Sequence, residues 1–276
     1  MPLDRDAVYA NVRGLTRGLD VLRALNRMES GRATAQQLAV ETGLHRTTVR
    51  RLLETLVAEG FVRRSESDDT FRLTLQVRAL SEGFTDDEWI STIAAPLMGE
   101  LLQQVVWPSD LTTPDGDAMI IRETTHRFSP LSFHRAMVGR RLPMLLTAAG
   151  RAYFTNCPET EQENILSVLR SGAGGEGQAA LAADATYIRN LIRRVREDGF
   201  STNHGDWTEQ RNISAVAVPL CVGERVLGSL NVVYLSRALK PAEAEAKFVA
   251  PLASVAARIA STMAARRPAG DAPGAG

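Results

Sequence analysis

Cysteine is almost missing from the 276 residues: Cys157 and Cys221 are the only two. That excludes a disulfide framework and a cysteine-built zinc site, fits a reducing cytoplasm, and gives no reason to expect a metal or a cofactor. Lysine is as scarce, with Lys240 and Lys247 beside thirty arginines. Long apolar runs are lacking as well. Ala94 to Met98 and Ala215 to Leu220 fall far short of the roughly 18 to 20 residues that span a bilayer, and Met1 to Asp6 opens without an apolar leader core. Membrane insertion and secretion are not expected, and a cytoplasmic location is. What is present is ordinary for a globular chain with room for two domains: 44% hydrophobic residues and 32 cations balanced by 32 anions.

The neutral total hides an asymmetry. Between Asn11 and Arg64 ten arginines (13, 17, 23, 27, 32, 46, 50, 51, 63 and 64) face five acids, a local excess of +5 that the rest of the chain cancels. A basic module on a near-neutral chain suits a domain that meets an anionic polymer, although a solvated face gives the same count. Periodicity adds more. Leu15, Leu19, Leu22 and Leu25 recur at helical spacing, with Gly31 as a terminator. Thr34 followed by Gln37 is a capping box, and Leu38 supplies a core contact for a short second helix ending near Gly43. A third helix over His45 to Glu59 carries Val49, Leu52, Leu53 and Leu56 on one stripe, and Gly60 stops it. Helix, tight glycine turn, helix is the helix-turn-helix plan.

On a helical wheel the apolar stripe of the third helix spans about 60°, while Thr47, Arg50, Arg51 and Glu54 lie about 100° to 200° away. Arg46, Thr47 and Arg50 are therefore expected in the major groove of double-stranded DNA, with His45 and Thr48 at the end that meets the bases. Phe61 to Arg64 and Thr70 to Thr74 read as two strands about the turn Ser65 to Asp69, a wing whose Arg63 and Arg64 join Arg51 on phosphates. Thr34 is expected to hold the motif together rather than read bases.

Leu75 to Phe84 is amphipathic and reads as a linker helix; Thr85 to Glu88 then caps a helix from Trp89 to about Val106. Beyond it, strand-like runs at Ala118 to Glu123, Ala215 to Leu220 and Val226 to Tyr234 mix with helices at Ala148 to Thr155, Glu159 to Leu169, Ala185 to Gly199 and Ala242 to Ala265. Ser171 to Gln178 reads as a glycine-rich surface loop. The fold class expected is α+β: a winged helix-turn-helix over 11–74, a linker helix over 75–88, a sheet-and-helix sensor domain over 89–267 and a disordered tail over 268–276.

Several of these segments carry a resemblance. Val12 to Leu19, Gly43 to Leu56, the wing with Ser67-Asp68-Asp69, Arg122 to Phe128 and Leu142 to Gly150 resemble the IclR family of bacterial transcription regulators, and within it the MhpR branch of activators of 3-(3-hydroxyphenyl)propionate catabolism. The likeness covers nearly the whole chain and is densest up to about residue 155. It departs at Gly150-Arg151-Ala152, where many members have lysine in the middle, and over Thr160 to Asp184. The resemblance implies a linker helix joining the DNA-binding domain to a GAF-like effector domain. It also implies dimers paired through their DNA-binding halves on a pseudo-palindromic operator, often assembled into tetramers, and, for an activator, contact with RNA polymerase. Matched residue by residue, it places a small aromatic acid against Ala148, Ala149, Asn203, Ile213 and Asn231, with His204, Ser214 and Val233 close by, and its carboxylate at the helix start of Ala148. Arg127, His134 and Arg135 are candidates for a second anchor. The opposite regulatory sign, a repressor relieved by its ligand, is the alternative.

Catalysis is not expected. His204, Asp206, His126 and Glu123 are acid/base residue types, but no nucleophile elbow, paired zinc-ligand spacing or phosphate loop accompanies them.

Overall fold

The computed structural model describes residues 12–28, 31–65, 67–80, 88–132, 134, 136–172, 174–207 and 210–266. The chain forms two compact units, one of residues 1–86 with 133–136 and the other of residues 87–132 with 137–276.

In the N-terminal unit, α1 (Arg13–Arg27), α2 (Ala35–Thr42) and α3 (Arg46–Ala58) close on a core of Val21, Leu25, Leu38, Val49, Leu53, Val62 and Phe71. The Thr34 capping box forms as expected: Thr34 Oγ1 accepts from Gln37 N–H at 3.2 Å and Gln37 Oε1 accepts from Thr34 N–H at 2.9 Å. Gly43 ends α2 at φ 67°, in the left-handed region that a side chain would strain. Leu15 and Leu19, expected on the buried stripe, are 64% and 41% exposed, because the core reaches α1 only from Val21 onward. The wing is a three-stranded antiparallel sheet. Its β2 (Val62–Arg64) and β3 (Thr70–Leu73) match the expected hairpin, and β1 (Arg32–Thr34), read from sequence only as the approach to a cap, pairs with β3. Thr74 then caps α4 (Leu75–Ala79). Residues 81–87 of the expected linker, Arg135 and the tail 268–276 lie outside the described residues.

The second unit is a six-stranded antiparallel sheet in the order β6-β5-β4-β9-β8-β7. The strands are β4 (Ser109–Asp115), β5 (Ala118–Thr124), β6 (Arg141–Pro143), β7 (Ser201–His204), β8 (Ile213–Val222) and β9 (Arg225–Leu235). A π-helical turn at Ile90–Ala94 leads into α5 (Ala95–Val105) at Pro96, which has no N–H for the ordinary helical bond. With α10 (Pro241–Arg266), α5 covers one face over Met98, Leu101, Leu111, Val216, Leu230, Val232, Phe248 and Leu252. By length and composition α10 is apolar enough to cross a membrane. Its stripe of Ala244, Phe248, Leu252, Val255 and Ile259 is instead buried on the sheet. On the other face lies α6 (Ala148–Asn156), packed against α9 (Ala185–Asp198), with α7 (Glu159–Arg170) and α8 (Glu176–Ala183) paired outside it, all sharing a core of Phe154, Leu166, Leu169, Leu191 and Val195. The expected surface loop is thus partly helix. Gln178 is 2% exposed because its Oε1 accepts from Leu145 N–H at 2.8 Å, a buried backbone donor that needs a partner.

Candidate nucleic-acid interface and effector pocket

The polar face of α3 forms as its spacing requires. His45 caps the helix, its Nδ1 accepting from Thr47 N–H at 3.4 Å and lying 2.8 Å from Thr47 Oγ1. Arg46, Thr47 and Arg51 are exposed, and Thr48 and Arg50 are half-buried. Arg50 Nε stands 3.8 Å from Glu54, a loose exposed pair that contributes little and yields readily to a stronger acceptor. In the wing, Arg64 is tied to Asp69, its Nε donating at 2.9 Å, so Arg63 is the freer of the two cations. Two further arginines join Arg63, which the reading by segments missed. Arg32 pairs across to Arg72 and Arg72 to Arg63, setting three guanidinium groups in one row across the sheet. Only strand pairing reveals that row, because the three lie far apart along the chain. Arg32 also binds Asp68 at 2.8 Å.

The effector-side residues meet on the sheet face under α6. Register puts Asn203, Ala215 and Val233 in one row across three strands and Ser201, Ala217, Asn231 and Asp110 in the next across four. Ala148 and Ala152 pack on Ala215, Ala217 and Val233, small side chains that let the helix come close. Hydroxyls fasten it: Ser201 Oγ donates to Ala148 O at 2.6 Å and Ser229 Oγ to Ala149 O at 2.9 Å. Thr147 caps α6 by accepting from Gly150 N–H at 3.1 Å, so Ala148 and Ala149 carry the remaining first-turn donors. Arg151 locks the turn, donating to Leu145 O at 2.8 Å, Thr202 O at 2.7 Å and Asp206 at 2.8 Å. One lysine nitrogen could not reach all three in this fork geometry. Asn203 Oδ1 accepts from Asp206 N–H at 2.9 Å.

Two expected pocket residues do not join this face. Ser214 pairs with Tyr234 and His204 with Ser214, and Tyr234 belongs to the opposite core. Ser214 Oγ lies 2.9 Å from Ser236 Oγ there, and His204 is exposed. Strand alternation forces this, since neighbours along a strand point to opposite faces. Ile213 shares the parity of Ala215 but sits half-buried at the strand start. Arg127 is exposed with its guanidinium 4.4 Å over the Phe128 ring, and His134 is half-buried. A separate cavity of about 690 Å³ opens where β4 and β9 part beyond Thr112 and Ser229, lined by Arg122, Tyr153, Glu161 and Arg225 among others; it touches none of the expected residues.

The comparisons with known proteins can be set against this geometry. Residues 14–66 match the model of the IclR helix-turn-helix domain, and residues 84–261 match that of the bacterial transcriptional regulator IclR C-terminal domain. The chain belongs to the IclR family. Among relatives, the acetate operon repressor of Salmonella typhimurium is 25% identical over 70% of each chain. The p-hydroxybenzoate hydroxylase transcriptional activator of Acinetobacter baylyi is 28% identical over 83% of this chain and 84% of its own. The crystal structure of an IclR homolog complexed with 4-hydroxybenzoate from Microbacterium hydrocarbonoxydans superposes with a TM-score of 0.57 at 22% identity, covering 91% of this chain and 99% of its own, a likeness of fold.

This IclR-family chain is a transcription regulator with an N-terminal helix-turn-helix domain and a C-terminal α+β effector domain, and it is not an enzyme. The acid/base types noted in sequence fit that conclusion. Ser132 Oγ lies 2.6 Å from His126 Nδ1, and His126 Nε2 lies 3.6 Å from Asp110 Oδ2, an order that resembles a hydrolase relay. The imidazole–carboxylate distance exceeds hydrogen-bond reach. Glu123 is engaged elsewhere, accepting from Thr124 N–H at 2.8 Å.

Proposed function

We propose that this regulator activates an operon for the catabolism of a hydroxyphenylpropionate-like aromatic acid, as in the MhpR branch, and that it does so as a homodimer or tetramer on a pseudo-palindromic operator. The observation that carries the reading is the sheet face under α6: the amides of Asn231 and Asn203, each over nine-tenths buried, share two adjoining rows with apolar Val233 below the start of a helix, a place suited to an anion. The relatives support it, since one is named as an activator for p-hydroxybenzoate hydroxylase, another as the Pca regulon regulatory protein of Pseudomonas putida, and a structural neighbour holds 4-hydroxybenzoate.

On the DNA side Arg46, Thr47 and Arg50 read base edges, while Arg51, Arg63, Arg64 and the row through Arg72 and Arg32 contact phosphates. Thr34 and His45 cap their helices, and Thr48 stands with His45 at the end of α3 that meets the bases. Val12, Leu15 and Leu19 form an exposed apolar stripe at helical spacing along α1, suited to pairing DNA-binding halves. The helix that begins at Leu75 transmits ligand state to the heads, which requires a ligand affinity that differs between the two arrangements. As an activator the chain contacts RNA polymerase. Transcription from the cognate promoter in a deletion strain is the test: lost expression supports the activator, whereas constitutive expression assigns a repressor relieved by its ligand.

A further inference from the structure

Asp110 was in no reading of the sequence, yet it stands at the centre of the polar wall opposite α6. It is 1% exposed on β4, directly across from Asn231 on β9, which is 3% exposed. One carboxylate oxygen is well served: Oδ1 accepts from Thr124 Oγ1 at 2.7 Å. The other is not. Its nearest donors are Asn231 Nδ2 at 3.4 Å and His126 Nε2 at 3.6 Å, against about 2.7 to 2.9 Å for a good charge-assisted bond. Asn231 Oδ1, buried beside it, has no hydrogen-bond partner. Turning the amide over would set that oxygen against the carboxylate, so the orientation with nitrogen toward Asp110 is the favoured one. Two adjacent buried groups are thus both short of the same thing, a donor, and buried polar groups are rarely left so.

We propose that Asp110 and Asn231 bind a hydroxyl group of the effector, which therefore enters with its hydroxyl toward this wall and its carboxylate away from it. This rests on the reading of the α6 face as the effector pocket. A ligand carboxylate has no proton to give to either acceptor, so the acid group of the ligand is directed instead to the N–H groups of Ala148 and Ala149. A phenolic hydroxyl carries no charge, donates once, and lies at the far end of a ring from an acid side chain. The wall then sets specificity: it selects hydroxylated over unsubstituted aromatic acids, because the unsubstituted ligand brings no donor to the wall.

The test is calorimetric titration of the full chain with a matched set: 3-phenylpropionate and its 3-hydroxy derivative. The wild type should prefer the hydroxylated acid over the unsubstituted one by about 100-fold. Asp110→Asn and Asn231→Leu, each checked by its thermal transition, should shrink that ratio to within a few-fold. Either variant suffices if the other fails to fold. Equal wild-type affinity for the two acids overturns the inference, as does a preference that survives both substitutions. If no member of the set binds the wild type, the pocket reading itself falls and takes this inference with it.

Discussion

Gly150→Ala should destabilise the effector domain, although alanine is the better helix former. A Cβ at Gly150 would sit 2.1 Å from Met144 O, 2.6 Å from its Cα and 2.7 Å from its carbonyl carbon. These are backbone atoms and cannot rotate aside. The segment is held as well, since Leu145 N–H donates to Gln178 and Leu145 O accepts from Arg151. Forcing a methyl into such a contact costs about 3 kcal/mol, the upper part of the usual overpacking range. Replacing glycine by alanine in a helix returns about 1 kcal/mol. The net is a loss of about 2 kcal/mol, or a fall in Tm of about 4 to 8 °C for a domain of this size. Scanning calorimetry of the full chain should show the drop in the effector-domain transition and none in the DNA-binding domain. An unchanged or raised transition would mean that helix propensity outweighs the clash and that α6 is not clamped where the pocket needs it.

Two further outcomes concern titratable groups. Burial, reinforced by Glu161 nearby, pushes the Cys157 thiol up to about 12, so at pH 8 only about one molecule in ten thousand carries the reactive thiolate. Iodoacetamide should therefore modify half-buried Cys221 well before Cys157 in the native chain and both alike in denaturant; early labelling of Cys157 refutes its placement. Asp68 is held far below the usual carboxylate range, first by the Thr70 hydroxyl and then by Ser65 and Arg32. With the folded value depressed, its contribution to the wing is present at neutral pH and fades as pH falls below the ordinary carboxylate range of about 4. Carboxyl NMR titration should place its midpoint below that of exposed aspartates, and an ordinary midpoint would show that the wing turn does not form.

How far the sequence could be read depended on whether each signal was local. The helix-turn-helix was legible because Thr34 and Gln37 cap across three residues and Gly43 marks the turn, and the stripe of α3 lies within one segment. Strand β4 was not legible: Asp110 and Thr112 are buried against Asn231 and Ser229, so its inward residues are polar and no apolar alternation appears. Missing β4 meant missing Asp110. The short polar strand β7 and the three-residue β6 escaped for similar reasons. Naming Ser214 beside Ile213 and His204 beside Asn203 ignored the two-residue period of a strand, and the structure separates each pair by face. The exposure of Leu15 and Leu19 shows the converse, a helical stripe that one domain alone does not bury.

The central claim is that α3 reads sequence through Arg50, and fluorescence anisotropy with Arg50→Ala on operator and random DNA tests it most directly. The substitution should cost about 1 to 3 kcal/mol on the operator, relax base preference at one position of each half-site, and leave random-DNA binding nearly intact. Arg63→Ala, measured alongside over a salt series, should instead weaken both DNAs alike and lower the salt slope by about one. Equal losses on operator and random DNA for Arg50→Ala would contradict the account and return Arg50 to the phosphate-binding cations.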